Sequence, residues 1–534
     1  MLNPIEVLNH YPAHDGSLCG VYESRLAAAP DRPFIVFQDK TWGRAEFREA
    51  YLAAARVLAA RGIKKGDRIG VMARNHIGHV LMLFACARIG AIMVPTNPEF
   101  GAAEAGYVFN HSGVSAVACS EDCLSVVREA CRQISPAPFL MLFDGLSADA
   151  PNLLDAIIHA PTVALPPPAS AGDTCIFIYT SGSTGFPKGA MHSQSNFVVS
   201  GEANIARLWL QPDERMLIVL PMFHVNALFY SLAGGVAAGC TMIIAEKFSA
   251  STFWDLAVQT RATQVNVIDA VGRILKARPR GEFRPEHKIR IIYGVRPEAQ
   301  ECFRDEFGIH DQITGFGMTE VPGLMCNPYE GPRKMASIGA VGRHPDPARP
   351  WAQLRIVDDD GNDLGPDQTG ELWVKHPIVM QGYFRDPEQT KATFHDGWFK
   401  TGDLMKRDAD GYFYFVTRKK DIIRRRGENI AGLEIDRTIS EHPDVVEVAA
   451  VPVPAELGDE EILVAVVKKP GSTLDAQGVA AWCAERLAAM KVPRYVLFMD
   501  ELPHTPTHKI AKHVLKADKT LQSRATDLSL KTNI

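Results

Sequence analysis

The sequence has no excess of either charge. Its 534 residues include 57 lysine and arginine residues and 62 aspartate and glutamate residues, so the formal net charge is only -5 at pH 7. Because both signs are spread along the chain, no overall field would attract a polyanion. The composition therefore excludes nucleic acid and an anionic membrane surface as default partners.

Long hydrophobic runs are also missing. The two most apolar windows, residues 79–95 and 230–245, are interrupted by Arg88 and by three glycines, respectively. A membrane-spanning helix needs about 20 consecutive apolar residues, so we expect buried helix and strand pieces instead. Near the amino terminus, Glu6 and His10 stand where a secretory signal would have a basic and then an apolar stretch. We therefore expect a cytoplasmic protein.

Neither the cysteines nor the acidic clusters have the spacing of a metal site. The ten cysteines are scattered, and the closest pair, Cys119 and Cys123, lacks both the two-residue gap and the second pair of a zinc site. We expect reduced thiols. In the acidic segment 358–363, a calcium loop aligned on Gly361 would need a carboxylate at position 356, which is isoleucine.

The pattern along the chain is that of a multi-domain α/β protein. With 46% hydrophobic residues, the chain is longer than one hydrophobic core usually spans. Strand-length apolar runs such as 67–73 alternate with helical stretches such as 44–60, which is typical of βαβ units. A basic run at 418–426 precedes a smaller α/β unit with strands near 445–453 and 461–468. Six cations in nine residues indicate either a solvated face or contact with a polyanion such as a nucleotide.

The segment richest in chemistry is residues 175–189, an apolar strand followed by a loop of hydroxyls and glycines that ends at a lysine. Such a loop can wrap phosphates, because glycines let backbone amides approach an anion while hydroxyls and an ammonium group add donors and charge. A serine- and glycine-rich surface loop is the alternative, which the preceding strand and the lysine disfavour. The residues with phosphate-binding chemistry are Thr180, Ser181, Gly182, Ser183, Thr184, Gly185 and Lys188.

Two other phosphate loops are excluded by spacing. Walker A needs Gly-Lys followed by serine or threonine, whereas Lys188 follows Pro187 and precedes Gly189. The dinucleotide fingerprint fails at residues 315–320, which have Glu320 in place of the third glycine. A P-loop kinase and a Rossmann dehydrogenase therefore lose support.

Residues 179–189 resemble the phosphate-loop signature of the adenylate-forming superfamily, which includes acyl-CoA synthetases, firefly-type luciferases and peptide-synthetase adenylation domains. Segments similar to the other signatures of this superfamily follow in order, at 221–224, 315–320, 401–404, 418–434 and 503–512. The resemblance covers roughly residues 20–515. It implies a large amino-terminal AMP-binding domain of layered sheets and helices, 1–419, a small mobile α+β lid domain, 420–515, and a polar tail, 516–534.

The activity that this resemblance implies is that of an acid–CoA ligase. A small carboxylic acid, ATP and Mg²⁺ would give an acyl-adenylate, and CoA would then displace AMP after a rotation of the lid domain. Acyl-CoA synthetases serve fatty acid and lipid metabolism. The oligomeric state stays open, with a homodimer as one alternative.

The implied roles suit the residue types, since transfer to a carboxylate brings two anions together and needs positive charge and fixed donors. Lys509 would be the catalytic cation, Thr319 would donate to the α-phosphate, and Thr184 and Glu320 would hold Mg²⁺. Asp403 and Arg418 would bind the ribose. The remaining implied residues are His224 at the acyl pocket, Gly294, Gly315, Phe316, Gly317 and Met318 at the nucleotide, Lys420 as hinge, and Gly427, Glu428 and Asn429 at CoA, with Arg424, Arg425 and Arg426 near its phosphates.

Three departures from the signatures lie close to these residues. His508 replaces the glycine usual before Lys509, Thr417 replaces the glycine usual before Arg418, and residues 294–296 read Gly-Val-Arg instead of Gly-Gly-Ala. Taken alone, Lys509 would be a surface lysine, Glu320 a helix cap and His224 a core histidine. The ordered set of motifs favours the functional interpretation.

Segments 337–342, 413–418 and 423–430 are similar to the crotonobetaine/carnitine–CoA ligase branch. The expected pocket segments, 224–229 and 266–272, are mostly apolar, which suits an aliphatic or alicyclic acid. Asp269 would meet a cationic group or form a structural hydrogen bond. Two other functions stay open, an adenylation enzyme that feeds a carrier-protein thiol and a non-catalytic acyl or nucleotide sensor.

Overall fold

The computed structural model describes residues 1–180, 187–334, 336–425, 428–455, 460–504 and 510–531, without the side chains at 298, 429, 530 and 531. The chain divides into two compact units. The first comprises Met1–Leu354 and Val374–Phe399, and the second Arg355–Trp373 and Lys400–Ile534. A search of the described helices finds none with the length and apolar character to cross a membrane.

The first unit contains two seven-stranded sheets. One has the strand order Asp311–Ile313, Ile291–Tyr293, Gln264–Asn266, Arg215–Ile218, Thr241–Ile244, Pro33–Phe37, Lys40–Gly43, and only its last pair is antiparallel. The other has the order Gly382–Tyr383, Lys188–Ser193, Thr174–Thr180, Ile92–Thr96, Arg68–Met72, Val114–Cys119, Phe139–Leu142, and only its first two pairs are antiparallel. Helix-covered parallel strands are buried on both faces, which explains their continuous apolar runs.

The helices of the first unit connect these strands. They are Pro4–Asn9, Leu18–Ala28, Arg44–Ala60, Ile77–Ile89, Ala102–Ser112, Leu124–Cys131, Leu153–Ile158, Gln194–Leu208, Ala233–Ala238, Phe253–Gln259, Asp269–Ala277, Pro297–Asp305 and Pro387–Thr393, with a π-helix at Asn226–Leu232 and 3₁₀ turns at Glu121–Cys123 and Arg280–Glu282. A further antiparallel sheet contains Gly315–Met318, Val321–Cys326 and Ala340–Val341.

The two apolar windows of the sequence are buried helix and strand pieces, as expected. Every residue of helix Ile77–Ile89 except Arg88 is buried, and the helix ends at Gly90 with φ of 77°, a left-handed cap that glycine adopts without steric cost. The next strand is Ile92–Thr96. A helix that is apolar on all sides belongs in a core, and this one packs within a hydrophobic cluster that runs through the first unit.

The second unit contains a four-stranded sheet in the order Val445–Pro454, Glu460–Lys468, Tyr495–Phe498, Thr526–Asp527. Alternate residues of its central strands belong to two separate buried clusters, so both faces of the sheet are covered. The helices are Gly432–Ser440, Ala476–Ala484, Lys512–Ala517 and Leu521–Arg524, and 3₁₀ turns lie at Lys419–Asp421, Ala489–Lys491 and Leu528–Lys531. Its hairpin pairs Ile422–Arg425 with Glu428–Ala431.

The remaining strands are Gln353–Val357, Gly370–Lys375, Phe394–His395, Trp398–Arg407 and Phe413–Arg418. The α/β class is confirmed, as are the two strands expected near 445–453 and 461–468. The domain boundaries at 419/420 and 515/516 stay predictions.

Candidate active site

A tight hairpin presents two of the expected site residues. Met318 pairs with Val321, so Thr319 and Glu320 form the two-residue turn between strands Gly315–Met318 and Val321–Cys326. A Cβ on Gly317 would collide with the Tyr230 hydroxyl and would lie 2.5 Å from the Gly323 nitrogen. Only glycine lets the strand approach Tyr230 and Gly323 this closely at position 317.

The carboxylate of Glu320 is held in place from a different strand. Glu320 is buried, and the Tyr383 hydroxyl donates a hydrogen bond to its Oε1 at 2.7 Å. Burial and the adjacent Glu320 charge raise the pKa of Tyr383, so this phenol stays protonated and remains a donor. The backbone of the same turn is anchored by Met380, whose N–H donates to the Glu320 carbonyl at 2.8 Å.

A histidine that the sequence did not single out supports the other turn residue. His192 Nε2 lies 2.8 Å from the Thr319 carbonyl oxygen, and because a carbonyl only accepts, Nε2 carries the proton. Burial lowers the pKa of His192 to about 4, so the ring is neutral at pH 7. The one signal in the sequence is its position four residues after Lys188.

The ends of the expected phosphate loop are paired in the sheet. Thr180 and Lys188 are register partners in the antiparallel strands Thr174–Thr180 and Lys188–Ser193. The Lys188 ammonium donates to Gln389 Oε1 at 2.8 Å and lies 5.6 Å from the centre of the Tyr383 ring. The structure therefore brings Lys188 and Glu320 to the same side chain, Tyr383. The loop residues Ser181, Gly182, Ser183, Thr184 and Gly185 lie outside the described residues.

The two expected pocket segments meet at a π-helix. His224 precedes the π-helix Asn226–Leu232, a rare geometry that recurs at functional sites. The Asn266 amide donates to Ser231 Oγ of this helix at 2.9 Å. Gly294, with φ of 97°, packs directly against the second of these segments, since a Cβ there would overlap the Val267 carbonyl.

Asp269 forms an ion pair within its own helix. Its carboxylate lies 3.2 Å from the guanidinium of Arg273, one helical turn later. This contact favours the structural interpretation of Asp269 over contact with a cationic substrate.

In the second unit, Asp403 and Arg418 are register partners on adjacent antiparallel strands. Asp403 Oδ1 and Arg418 Nε lie 3.5 Å apart, with the carboxylate almost fully buried and the arginine half exposed. Asp403 is also oriented by its own backbone N–H, which donates to Thr401 Oγ1 at 3.1 Å. A fixed carboxylate beside a reachable guanidinium suits a vicinal diol such as a ribose.

The expected hinge residue, Lys420, lies in the 3₁₀ turn Lys419–Asp421. Burial and the nearby charge of Arg418 lower the pKa of Lys420. Lys516 donates to the Lys420 carbonyl at 2.8 Å and pairs with Asp421 at 2.9 Å. The turn is therefore linked to helix Lys512–Ala517, which follows the motif of the expected catalytic lysine.

Lys509 and His508 lie outside the described residues, but both flanks of their segment are described. His504 and Ile510 form an antiparallel bridge, and the Ala511 N–H donates to the Pro503 carbonyl at 2.7 Å. His504 pairs with Glu447 at 2.8 Å. On the carboxyl-terminal flank, Lys512 forms an ion pair with the largely buried carboxylate of Asp436.

The three arginines expected near CoA differ in their surroundings. Arg425 is buried, its Nε lies 2.7 Å from Glu461 Oε2 without hydrogen-bond alignment, and its Nη1 donates to the Met490 and Val492 carbonyls at 2.7 and 2.9 Å. These contacts hold the second unit together. Arg424 is exposed, opposite Asn429 in the hairpin, while Glu428 pairs with Arg425 in register. Arg426 and Gly427 lie outside the described residues.

Neither thiols nor metal-ligand clusters suggest a different chemistry. All ten cysteines are unpaired and buried. Within the part of the chain that the structure describes, no three histidine, cysteine, aspartate or glutamate side chains are grouped as metal ligands.

Known proteins are similar to this chain over nearly its whole length. The family model described as AMP-binding enzyme matches residues 22–384, and that described as AMP-binding enzyme C-terminal domain matches residues 434–509. The sulfoacetate–CoA ligase of Cupriavidus necator is 32% identical over 508 residues, 93% of this chain and 96% of that protein. The crotonobetaine/carnitine–CoA ligase of Salmonella paratyphi B is 29% identical over 523 residues, 93% and 97% of the two chains.

Among solved structures, ATP-bound MatB from Rhodopseudomonas palustris matches with a TM-score of 0.84 at 27% identity, covering 96% of this chain and 100% of that chain. The likeness extends beyond the motifs to the whole fold. The expected architecture of a large AMP-binding domain followed by a smaller carboxyl-terminal domain is confirmed.

Proposed function

The chain belongs to the AMP-binding enzyme family and is an acid–CoA ligase that works through an acyl-adenylate, and we propose the residue roles that follow. In the first half-reaction, a carboxylate oxygen attacks the α-phosphorus of ATP and pyrophosphate leaves. In the second, the CoA thiol attacks the acyl carbon and AMP leaves. The observation that carries the proposal is the convergence of Lys188, Thr319 and Glu320 around Tyr383 and His192.

Charge and donors at the phosphates are the first requirement. Lys188 supplies an ammonium group to the phosphates, and Thr319 donates to the α-phosphate from a turn that His192 fixes. Lys509 provides the cation between the carboxylate and the α-phosphate, where repulsion between the two anions is greatest. The ordered donors supply stabilisation without reorganisation as charge develops.

The donor set at the turn suits Mg²⁺. Glu320 offers a buried carboxylate that Tyr383 orients through one oxygen, and Mg²⁺ binds through one or two protein oxygens together with substrate phosphates. Glu320 and Thr184 would hold the ion, which when bound would neutralise charge on the phosphates.

For the nucleotide, we assign the ribose hydroxyls to Asp403 and Arg418 and the base and α-phosphate to the hairpin around residues 315–318 together with Gly294. Lys420 is the hinge for a rotation of the lid domain between the half-reactions. Glu428, Asn429 and Gly427 face CoA after this rotation. Arg424 is the described arginine that is available to the CoA phosphates, since Arg425 is committed to Glu461.

We place the enzyme in the cytoplasm, which the ten unpaired cysteines support. The named relatives do not point to a fatty acid. Their acids differ in charge, since sulfoacetate carries a second anionic group and carnitine a quaternary ammonium group. The family alone therefore does not select the acid.

The test is pyrophosphate release and AMP formation with a panel of acids, with and without CoA. We expect wild-type protein to release pyrophosphate with at least one acid and to form AMP and the thioester only when CoA is added. Lys509→Ala and Lys188→Ala should lose at least about 100-fold in the first half-reaction. Lys391→Ala, an exposed lysine of helix Pro387–Thr393, is the matched control and should retain activity.

The alternatives are separated by the same assay. Pyrophosphate release that no addition of CoA carries on to a thioester would favour a carrier-protein acceptor. Retained ATP binding with no turnover of any acid would favour a sensor and overturn the ligase assignment.

A further inference from the structure

Arg207 is a buried cation that forms no ion pair with a carboxylate of the described residues. It lies in the last turn of helix Gln194–Leu208 and is only 5% exposed. Its Nη1 donates to Asn204 Oδ1 at 2.7 Å and its Nη2 to the Gly323 carbonyl. Among the described residues, its Nε has no partner and no carboxylate forms an ion pair with it.

The groups around Arg207 include the Tyr230 and Tyr293 rings, the Asn204 amide and the Cys326 thiol. The guanidinium carbon lies 5.3 Å from the centre of the Tyr230 ring and 5.9 Å from that of Tyr293. Cation–π contacts of this kind offset only part of the lost hydration. Burial and the Arg207 charge together lower the pKa of His376 to about 3, so this neighbour is neutral. An anion is the group that this environment lacks.

Two other buried arginines show how the fold neutralises such a charge when the role is structural. Arg25 donates through two nitrogens to the Ala237 carbonyl, and Arg44 donates to the Gly239 carbonyl. Both carbonyls lie at the end of helix Ala233–Ala238, where the helix dipole is negative. Arg207 has one carbonyl partner, in a strand.

The position of Arg207 connects it to the reacting end of the site. A Cβ on Gly323, whose φ is 70°, would lie 2.5 Å from Arg207 Nη2. The Gly323 N–H donates to the Tyr230 hydroxyl at 2.8 Å, and that hydroxyl occupies the space beside Gly317. Gly323 is three residues from Glu320, at most about 10 Å along a strand. The glycine thus leaves room for a guanidinium group at a short distance from the turn.

Arg207 is also joined to the expected acyl pocket. Asn204, whose Oδ1 accepts from Arg207, donates through its Nδ2 to the Phe229 and Tyr230 carbonyls of the π-helix, at 3.0 and 3.1 Å. The guanidinium therefore lies between the π-helix and the hairpin that carries Thr319 and Glu320.

We propose that Arg207 binds a second anionic group of the acid, so that the substrate is a short dianionic acid with a carboxylate or sulfonate at the end opposite to the reacting carboxylate. This inference rests on the proposed acid–CoA ligase activity. A guanidinium group binds planar and tetrahedral oxyanions through paired donors, and the bound anion balances the buried charge. A quaternary ammonium group at this place is repelled. The specificity is a property of Arg207 and not of the apolar pocket residues.

The first test needs only wild-type protein. Initial rates of CoA-dependent AMP formation are compared for acids matched in length, succinate against butyrate and sulfoacetate against propionate, with carnitine as the cationic member. We expect kcat/KM to be roughly 10- to 100-fold higher for the dianionic member of each pair, the range of a buried charge-assisted hydrogen bond. The two pairs distinguish a carboxylate from a sulfonate. Equal or better turnover of butyrate and propionate would overturn the inference while leaving the ligase activity intact.

The second test removes the charge. Arg207→Met should lower kcat/KM for the dianionic acid roughly 10- to 100-fold and leave that for the monoacid unchanged or higher, whereas Arg207→Lys should keep part of the preference. Arg25→Met is the matched control and should reduce thermal stability without changing the ratio between the two acids. If Arg207→Met lowers kcat/KM for both acids by the same factor, as the loss of a structural residue would, Arg207 does not determine specificity. Should Arg207→Met fail to fold, the ratio in Arg207→Lys and the wild-type panel decide. If no acid at all yields AMP, it is the ligase activity itself that fails.

Discussion

The ion pair between Lys512 and Asp436 should position the catalytic segment, and Lys512→Met tests this. Lys512 begins helix Lys512–Ala517 and stands three residues after Lys509. The side chains of Lys512 and Asp436 are only 17% and 14% exposed, and Asp436 also accepts from the Ala450 N–H at 2.6 Å. Asp436 therefore connects Lys512, which lies just after the segment that contains Lys509, to strand Val445–Pro454.

Removing one partner of a buried pair costs about 3–5 kcal/mol, because a charge is left without its counterpart. Burial already raises the pKa of Asp436 in spite of the charge of Lys512. When Lys512 is lost, the Asp436 carboxyl group can take up a proton and escape part of this penalty. We therefore expect Lys512→Met to lower the free energy of unfolding by about 3 kcal/mol. A displacement of about 1 Å in a catalytic group costs on the order of 100-fold in rate.

We expect Lys512→Met to slow acid-dependent pyrophosphate release about 100-fold. Thioester formation from added acyl-adenylate and CoA should change less than about 3-fold, because in the proposed mechanism Lys509 acts only in the first half-reaction. Both rates are measured by single turnover, with thermal unfolding alongside. Lys512→Arg should restore adenylation.

The matched control is Arg494→Met. Arg494 pairs with Asp527 in the same unit, and these side chains are 17% and 16% exposed. We expect a comparable loss of stability with adenylation retained. If Arg494→Met slows adenylation as much as Lys512→Met does, or if Lys512→Met slows both half-reactions equally, the positioning argument is refuted.

Three further outcomes follow from the hairpin turn. Burial holds the pKa of His192 at about 4 in the fold against about 6.5 when unfolded, so its contribution to stability is present above about pH 6.5 and is lost as the pH falls towards 4. Chemical denaturation should show that the free energy of unfolding falls by about 2 kcal/mol between pH 7.5 and 5, and His192→Asn should flatten this dependence. Tyr383→Phe should raise the KM for Mg-ATP about 10-fold without loss of fold, because Glu320 loses its orienting donor, and an unchanged KM would exclude this role. Gly317→Ala should lower stability by about 1–3 kcal/mol and abolish adenylation, since its Cβ collides with Tyr230; wild-type melting and activity would contradict the packing argument.

Much of the architecture follows from local pattern. The uniformly apolar run around residues 79–95 predicts a buried helix and strand because no other environment accepts so many apolar side chains in succession. The glycine and hydroxyl spacing at 179–189 and the order of the later motifs are likewise local properties, and they were sufficient to identify the class of enzyme. Lys509 and residues 181–185 of the phosphate loop remain assignments from motif alone.

The supports of the site could not be read from the sequence, since their partners are far apart along the chain. His192 and Thr319 are separated by 127 positions, Tyr383 and Glu320 by 63, and Arg207 and Gly323 by 116. Such contacts depend on strand order and register, which no local period encodes.

The basic run 418–426 shows the same division within nine residues. By itself the sequence determined that cations are concentrated there, but it presented the arginines as equivalent. Only the tertiary structure decided that Arg425 faces inward to Glu461 while Arg424 stays exposed, because alternate residues of a strand point to opposite faces. In the same way, sequence determined the acid-activating chemistry. The burial of Arg207, for which the described part of the chain supplies no ion-paired carboxylate, is a consequence of packing and is what bears on the acid itself.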